Sequence, residues 1–304
     1  MPLLTPVNYD SPREIRCFLD SRGLGMRKMY GQNFLVNAVI RKALLDALKA
    51  EKGSLVWEIG PGLGAMTAGL LEKGVGVTAF EIDKGFIAVL EEFFGGVEGF
   101  TLVSGNVMKT WPKTASLGDY LLSNLPYNIG AALLADFIEK KRFFKRMVVT
   151  VQREVARRMA ALPGTEDYSS FSVLCASAYK IKLLSGIKGA AFYPEPRVDS
   201  QGVLLEKRDD IDPASYPQYF KPIVRSLFSS RRKTIQNNLK TFVSSIIGHG
   251  TENSNTTDAR EITAALLADT GIAGTERAER LGIGEFCALA GALERVLENG
   301  GIHG

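Results

Sequence analysis

The feature that most constrains the fold of this chain is a short stretch in which a mostly apolar run gives way to closely spaced glycines. The apolar run covers 55–59, and the glycines follow at alternate positions, Gly60, Gly62 and Gly64. Apolar side chains then recur at helical spacing over 65–71. The pattern predicts a buried strand, a tight turn and a helix. Glycine lets backbone N–H groups approach a ligand closely, and the start of a helix adds a positive dipole.

An acidic residue follows at the end of the next predicted strand. That strand covers 75–80, and Glu81 comes directly after it. A carboxylate at this position can accept hydrogen bonds from both ribose hydroxyls of a nucleoside. A glycine turn alone would also fit a plain strand-to-helix connection in an α/β sheet. The turn, the helix and the placed acid together favour a cofactor of the nucleoside type.

Strands and helices alternate through the larger part of the chain. Further strands are predicted at 100–103, 120–123, 145–151, 181–187 and 202–205. This alternation predicts a doubly wound, Rossmann-like α/β domain over 1–205, with an N-terminal extension over about 1–28. In such a sheet the ligand crevice lies at the carboxyl ends of the strands.

The pattern changes near residue 206, after which every segment looks helical. Helices are predicted at about 213–228, 233–247, 257–267 and 284–297, with a polar connection over 248–257. We therefore expect a second, smaller and all-helical domain over 206–304.

The composition narrows the classes of function. No apolar run reaches the length of a membrane span, and the first residues lack the apolar core of a signal peptide, so we expect a cytoplasmic protein without membrane contact. The three cysteines, Cys17, Cys175 and Cys287, are far apart, which favours reduced thiols. The only histidines are His249 and His303, so we expect neither histidine catalysis nor a metal site. A net charge of +4 does not by itself identify a nucleic-acid partner.

The most informative short motif follows the strand predicted at 120–123. It reads Asn124, Leu125, Pro126 and Tyr127. An exocyclic amine on a base is a poor nucleophile because its lone pair is delocalised into the ring. The side-chain oxygen of Asn124 and the carbonyl of Leu125 can accept both amine hydrogens and so favour tetrahedral nitrogen. Pro126 stiffens the turn, and Tyr127 offers a face on which a base can stack. A turn with a packed tyrosine fits the same residues.

Two further segments are ambiguous when taken alone. Asn106 follows the strand at 100–103 and is a candidate to hydrogen-bond a base, but an ordinary turn asparagine fits equally well. The segment 26–35 mixes basic, aromatic and amide side chains, which would suit a ligand or a surface loop with a buried Phe34.

Several motifs, in this order along about 28–240, resemble those of the small-subunit ribosomal RNA adenine dimethyltransferases, the KsgA type. The matching segments are G-Q-N-F-L at 31–35, E-I-G-P-G-L-G at 58–64, N-L-P-Y at 124–127, F-Y-P-E-P-R-V-D-S at 192–200 and R-R-K-T-I-Q-N-N-L at 231–239. The resemblance implies S-adenosyl-L-methionine as cofactor, and it raises the weight of each local interpretation above.

The resemblance also implies roles for single residues around the cofactor. Asn33 and Leu35 would close over it, Gly60 would contact its methionine end, and Glu81 would bind its ribose. Asn106 would accept a hydrogen bond from its adenine amine, although the family usually has aspartate at this position.

At the target, the resemblance implies a second group of contacts. Asn124 would lie between cofactor and target, in contact with both, and Tyr127 and Phe192 would sandwich a flipped adenine. Basic residues would contact RNA phosphates. They are Arg231, Arg232 and Lys233 before a helix, extended by Arg153, Arg157, Arg158 and Arg197. For any one arginine, a solvated surface fits as well.

The expected function is methyl transfer to N6 of two adjacent adenosines near the 3′ end of 16S rRNA, within the 30S subunit, by a monomer. One alternative is the related large-subunit rRNA adenine N6-methyltransferase of antibiotic resistance, and the segment at 231–239 favours the small-subunit type. Another is a non-catalytic ribosome assembly factor, against which the intact motif at 124–127 argues. A DNA adenine methyltransferase would more often show an aspartate at the head of that motif.

Overall fold

The structure is a computed structural model, and it describes residues 7–26, 32–115, 118–247 and 259–299. The chain divides into two compact units. The first comprises Met1–Phe137, Arg142–Ala156 and Tyr179–Lys207, and the second comprises Ile138–Lys141, Arg157–Ala178 and Arg208–Gly304. Gly31 of the G-Q-N-F-L match, both histidines and the predicted polar connection over 248–257 lie outside the described residues.

The described residues form β-strands, α-helices and short 3-10 helices. The strands are β1 Phe34–Leu35, β2 Leu55–Ile59, β3 Gly76–Glu81, β4 Phe100–Ser104, β5 Tyr120–Asn124, β6 Arg146–Gln152, β7 Tyr179–Ile187, β8 Phe192–Tyr193 and β9 Ser200–Lys207. The α-helices are α1 Pro12–Ser21, α2 Ala38–Leu48, α3 Ala65–Glu72, α4 Lys84–Phe94, α5 Val107–Thr110, α6 Gly130–Glu139, α7 Arg153–Ala160, α8 Ser170–Ala178, α9 Phe220–Phe228, α10 Ile235–Ile247, α11 Ala259–Thr270 and α12 Ile283–Asn299. The 3-10 helices are Trp111–Lys113, Gly189–Ala191 and Ala278–Arg280.

A seven-stranded mixed sheet forms the frame of the first unit. Its order is β4-β3-β2-β5-β6-β9-β7, in which β2 to β6 run parallel and β9 is antiparallel to both of its neighbours. The chain order reverses between β2 and β5, which is where a doubly wound sheet opens its ligand crevice. The predicted Rossmann-like α/β class is confirmed.

The strands beside this crevice are buried. Val56 and Trp57 on β2 and Leu121 and Leu122 on β5 are fully buried. The ring of Trp57 packs against Phe80 at a centroid distance of 4.9 Å. Continuous apolar strands of this kind are typical of parallel sheets that are covered on both faces.

The glycine turn connects β2 to α3, as predicted. Gly60 and Gly62 have φ values of +65° and +61°, a region that side-chain-bearing residues rarely adopt. A Cβ atom on Gly62 would also lie 2.9 Å from a ring carbon of Phe34. The turn therefore requires glycine both for its backbone angles and for its contact with β1.

Some elements differ from their sequence predictions. The segment 192–200, predicted as a stiff loop, begins with β8, which pairs antiparallel with β1 through Leu35 and Phe192. The helix predicted from 213 begins only at Phe220. Pro213 and Pro217 lack the N–H that a helix needs, and the side chain of Asp212 caps a turn by accepting from the amide of Ala214.

The second unit is all-helical in its described part and has its own apolar core. That core is built from α9 to α12 and includes Tyr168 and Val173, which are 2% and 0% exposed. The hydroxyl of Tyr168 also donates to the carbonyl of Leu281 at 2.9 Å. Residues 157–178, assigned from sequence to the first domain, therefore belong to the second compact unit. These residues pack on helices that lie far along the chain, and a local sequence pattern does not reveal such contacts.

None of the helices in the described ranges is long and apolar enough to cross a bilayer.

Candidate active site

A cavity of about 280 Å³ lies at the carboxyl ends of β2, β3 and β5 in the first unit. Its walls come from the glycine turn, the ends of these strands, β1 and the N-terminal segment. All of the residues predicted from sequence to hold the cofactor line it. They are Asn33, Leu35, Gly60, Glu81, Asn106 and Asn124.

Glu81 is fixed at the end of β3 by backbone amides. Its carboxylate accepts from the amides of Ile82 at 2.8 Å and Asp83 at 2.9 Å, and from that of Gly62 at 3.3 Å. Burial raises the pKa of this carboxyl above its ordinary value, and these hydrogen bonds oppose the rise. Glu81 thus lines the cavity with a carboxylate that is held in place by the backbone.

Glu58 is a second buried acid in the cavity wall, and sequence reasoning gave it no role. It is 2% exposed and accepts from the hydroxyl of Thr67 at 2.6 Å. Burial raises its pKa to about 7, with a smaller contribution from Glu81. Near neutral pH its carboxyl is therefore shared between the neutral and charged forms.

Asn106 serves as the N-cap of α5. Its side-chain oxygen accepts from the amide of Met108 at 3.0 Å. A carboxylate at this position would have a second oxygen available, whereas the asparagine presents an NH₂ group beside its capping oxygen. Asn106 thus lines the cavity, but its single side-chain oxygen already accepts a hydrogen bond from the backbone.

The side-chain amide of Asn124 is oriented from both ends. Its Nδ2 donates to the carbonyl of Asn33 at 2.7 Å, and its Oδ1 accepts from the hydroxyl of Thr150. Thr150 lies opposite Asn124 in the β5–β6 register and is 1% exposed. Its carbonyl also accepts from the amide of Leu125 at 3.1 Å. Thr150 therefore fixes both the asparagine side chain and the next peptide of the motif.

The remaining motif residues differ in exposure. Leu125 is buried, and Pro126 lines the cavity beside Asn128 and Ile129. Tyr127 is half-buried, and its hydroxyl shares a hydrogen bond with Ser200. Burial raises the pKa of Tyr127, partly offset by this bond. The bond joins the motif at 124–127 to the segment at 192–200.

Phe192 is not brought to the cavity. Its side chain is 3% exposed and lies in the apolar cluster that also contains Leu35. A ring that sandwiches a base needs an open face, and Phe192 has none in this structure. The sandwich with Tyr127 remains a prediction that requires this ring to become accessible.

The RNA-binding residues predicted in the first unit, Arg153 and Arg197, are both exposed, but Arg153 is paired with an acidic side chain. Arg153 lies 3.5 Å from the carboxylate of Asp199, which Lys188 also contacts at 2.9 Å. Arg197 is exposed on the loop before β9. These side chains form a mixed surface in which Asp199 neutralises part of the positive charge.

In the second unit, the three basic residues before α10 have different roles. All three are exposed, but Arg231 donates to the carbonyls of Glu166 at 3.0 Å and Tyr168 at 3.2 Å. Arg232 and Lys233 are the better candidates for contact with phosphate, because Arg231 also holds the loop before α8.

Within the described ranges, no cluster of three or more histidine, cysteine, aspartate or glutamate side chains could hold an ion. Cys17, Cys175 and Cys287 are free thiols.

The doubly wound sheet, the glycine turn and the acid at the end of β3 define a Rossmann-like methyltransferase. A dimethyladenosine transferase from Plasmodium falciparum has the same fold, with a TM-score of 0.73 at 24% identity over 88% of this chain and 98% of that one. The 23S rRNA methyltransferase ErmE has a TM-score of 0.59 at 20% identity, over 86% of this chain and 99% of that one.

Sequence comparison narrows the class to a family. The model of the ribosomal RNA adenine dimethylase family matches residues 23–270, and the chain belongs to this family. The ribosomal RNA small subunit methyltransferase A of Treponema denticola is 42% identical over 292 residues, which cover 94% of this chain and 96% of that protein. The protein of the same name from Borreliella afzelii is 39% identical over 238 residues, or 78% and 83% of the two chains.

Proposed function

We propose that this chain transfers methyl groups from S-adenosyl-L-methionine to N6 of two adjacent adenosines near the 3′ end of 16S rRNA in the 30S subunit. The observation that carries the proposal is the placement of Asn124. Its oriented amide lines the same cavity as the glycine turn and the carboxylate of Glu81. A group suited to an exocyclic amine thus lies beside a site suited to a nucleoside.

The residues present fit this cofactor. Glu81 offers acceptor oxygens for ribose hydroxyls, Gly60 leaves the backbone open to close approach, and Asn106 lines the same cavity. When bound, S-adenosyl-L-methionine supplies an activated methyl group. The protein's share of catalysis is then mostly to position the target amine in line with that group.

Asn124 and Leu125 supply the acceptors for the target amine. As the nitrogen becomes tetrahedral, its hydrogens point more directly at the Asn124 oxygen and the Leu125 carbonyl, so these contacts strengthen toward the transition state. The amine becomes cationic when it takes the methyl group, and its proton is then acidic enough to leave to water. No strongly basic side chain is required.

Recognition of the RNA is assigned to exposed cations on both units. Arg232 and Lys233, with Arg231 as an anchor, would contact phosphates from the second unit, and Arg153 and Arg197 from the first. We further propose a cytoplasmic monomer that uses no metal. Similarity to relatives named for the small subunit at 42% and 39% identity favours the small subunit over the large one.

The test is transfer of tritiated methyl groups to under-methylated 30S particles, followed by mapping of the labelled bases. Label in two adjacent adenosines near the 3′ end of 16S rRNA is expected, and Asn124→Ala should transfer far more slowly in a single turnover. Transfer to 23S rRNA, offered as a separate substrate, with none to 30S particles would favour the antibiotic-resistance alternative. Absence of transfer with tight particle binding would favour the assembly-factor alternative.

A further inference from the structure

The N-terminal segment, residues 7–26, lies almost wholly outside the part of the chain that matches the family model, which begins at residue 23. It is nevertheless well formed. The hydroxyl of Ser11 accepts from the amide of Glu14 at 3.3 Å and starts α1, with Pro12 in the first turn. The carboxylate of Glu14 accepts from the side chain of Asn8 at 3.2 Å. The segment is therefore an ordered element whose position can be interpreted.

An apolar interface holds this segment on the first unit. Three of its side chains are buried together with four from the Rossmann-like core. They are Val7, Ile15 and Leu19 on one side, and Val36, Leu63, Phe86 and Val89 on the other. Leu63 belongs to the glycine turn, so the N-terminal segment packs directly behind the element expected to contact the cofactor.

Two residues of the segment reach the cavity itself. Tyr9 and Ile15 both line it, together with Gly62 and Glu81. The hydroxyl of Tyr9 donates to the carbonyl of Leu63 at 2.9 Å. Tyr9 thus forms part of the wall and fixes the glycine turn with its hydroxyl.

Arg41 on α2 fastens the segment at the same place. It is 9% exposed and lines the cavity. Its guanidinium donates to the carbonyl of Leu35 at 2.7 Å and to that of Tyr9 at 3.4 Å, and it forms an ion pair with Asp10. A buried guanidinium is stable only when it is paired. Arg41 therefore links the N-terminal segment to β1, which carries Leu35 into the cavity.

We propose that residues 7–26 complete the cofactor site, with Tyr9 in direct contact with bound S-adenosyl-L-methionine and Arg41 as the residue that positions it. The proposal rests on the proposed function, because it takes the cavity to be the cofactor site. The proposal adds residues 7–26 to the wall of the site, and none of the family motifs includes these residues. It also gives the N-terminal segment a role in binding beyond covering apolar surface.

The first experiment measures the affinity for S-adenosylhomocysteine by calorimetry on the full chain. Tyr9→Ala removes the wall and the tie to Leu63, and the dissociation constant should rise about tenfold. Tyr9→Phe keeps the ring and should bind within about threefold of the parent. Arg22→Ala is the control, because it breaks the exposed ion pair of the same segment with Glu92, away from the cavity. Its affinity should not change.

A second measurement separates contact from general loosening of the segment. In the parent protein, saturating S-adenosylhomocysteine should slow amide hydrogen exchange over 9–15, while exchange in α12 of the second unit stays the same. If Tyr9→Ala binds like the parent, or if exchange over 9–15 does not respond to the ligand, the proposal is wrong. If the parent itself does not bind S-adenosylhomocysteine, the proposed function fails instead.

Discussion

The amide of Asn124 owes its orientation to Thr150, a residue that no motif contains. The threonine hydroxyl donates to the amide oxygen, and this leaves that oxygen with one further lone pair for a target amine. The Thr150 side chain is buried, so the contact is shielded from water. Thr150 should therefore influence the chemical step without touching the substrate.

Replacing Thr150 tests this role. Thr150→Val removes the hydroxyl at nearly constant shape, and the single-turnover methyl transfer rate should fall about fivefold, which corresponds to about 1 kcal/mol. Thr150→Ser keeps the hydroxyl and should restore most of the rate. Affinities for S-adenosylhomocysteine and for 30S particles should match the parent in both variants. A slow serine variant would mean that the methyl group, and not the hydrogen bond, matters.

Asn106 is the position at which the resemblance to the family leads us to expect aspartate. Because the asparagine oxygen caps α5, Asn106→Asp should keep the cap and add a charged acceptor facing the cavity. We expect cofactor affinity to tighten about fivefold. Calorimetry with S-adenosylhomocysteine measures it, with free methionine, which lacks the adenine, as a ligand that should show no difference. Weaker binding by the aspartate variant would show that this position does not face an amine donor.

The sequence motifs led to residues that share one cavity. Glu81 and Asn124 line it because each stands at the end of a strand that the pattern reveals, whereas Asn33 was named only through the resemblance. Thr150 and Ser200 could not be found in this way. Their contacts depend on strand register and on a loop that returns from far along the chain, as the separation of 73 between Tyr127 and Ser200 shows.

Among the helices and strands, the glycine turn has the strictest geometric requirement. Gly62 combines a positive φ with a close approach to Phe34. Gly23 has a similar φ of +63°, but a Cβ atom added there would meet nothing within 4 Å. A comparison of Gly23 with Gly62 therefore distinguishes the cost of backbone strain from the cost of a steric clash.

Alanine at these two positions should have different costs. Gly23→Ala should destabilise the first unit by about 1 kcal/mol, from strain alone. Gly62→Ala should cost at least about 1 kcal/mol more, because Phe34 must move, and it should also weaken cofactor binding. Urea unfolding followed by tryptophan fluorescence gives the comparison, since both tryptophans, Trp57 and Trp111, belong to the first unit. Equal costs would mean that Phe34 yields freely.

Element types were predictable from periodicity, and β2 was predicted with its observed bounds. Short elements were not. The strands β1 and β8 contain two residues each and exist only because they pair with one another. The late start of α9 follows from prolines that a count of apolar spacing does not weigh.

The buried carboxyl of Glu58 should make the stability of the first unit depend on pH. Glu58 has a pKa of about 7 in the folded protein, against an ordinary value of 4.5. A carboxyl with a raised folded pKa stabilises the fold at acid pH, and this contribution is lost as the pH rises from about 4.5 to about 7. Over that window the first unit should lose about 3 kcal/mol of stability through this group.

Glu58→Gln should remove that loss. Urea unfolding by tryptophan fluorescence at several pH values between about 4.5 and about 8 should show a flatter profile for the glutamine variant. The parent and variant should differ most above about pH 7, where the parent carries the buried charge. Glu81 is present in both proteins, so its own titration cancels in the difference except for its coupling to Glu58. Parallel profiles would show that Glu58 titrates normally.

The second unit should act on RNA and not on the cofactor. Changing Arg232 and Lys233 together to alanine should weaken binding to 30S particles and reduce the salt slope by up to about 2. Affinity for S-adenosylhomocysteine should be unchanged. Arg231→Ala is a matched comparison that should mainly destabilise the second unit, because Arg231 holds carbonyls of Glu166 and Tyr168. A cofactor defect in the double variant would contradict this division.

The hydrogen bond from Asn124 to the carbonyl of Asn33 has a consequence for two successive methyl transfers. An enzyme that dimethylates one nitrogen must exchange its cofactor between the two transfers. Under the proposed function, the segment that carries Asn33 and Leu35 lines the cofactor cavity and would open during each exchange. The bond from Thr150 comes from the central sheet and does not depend on that segment. Asn124 can therefore keep its orientation while the cofactor leaves and returns, which would let a half-methylated adenine stay bound until the second methyl group arrives.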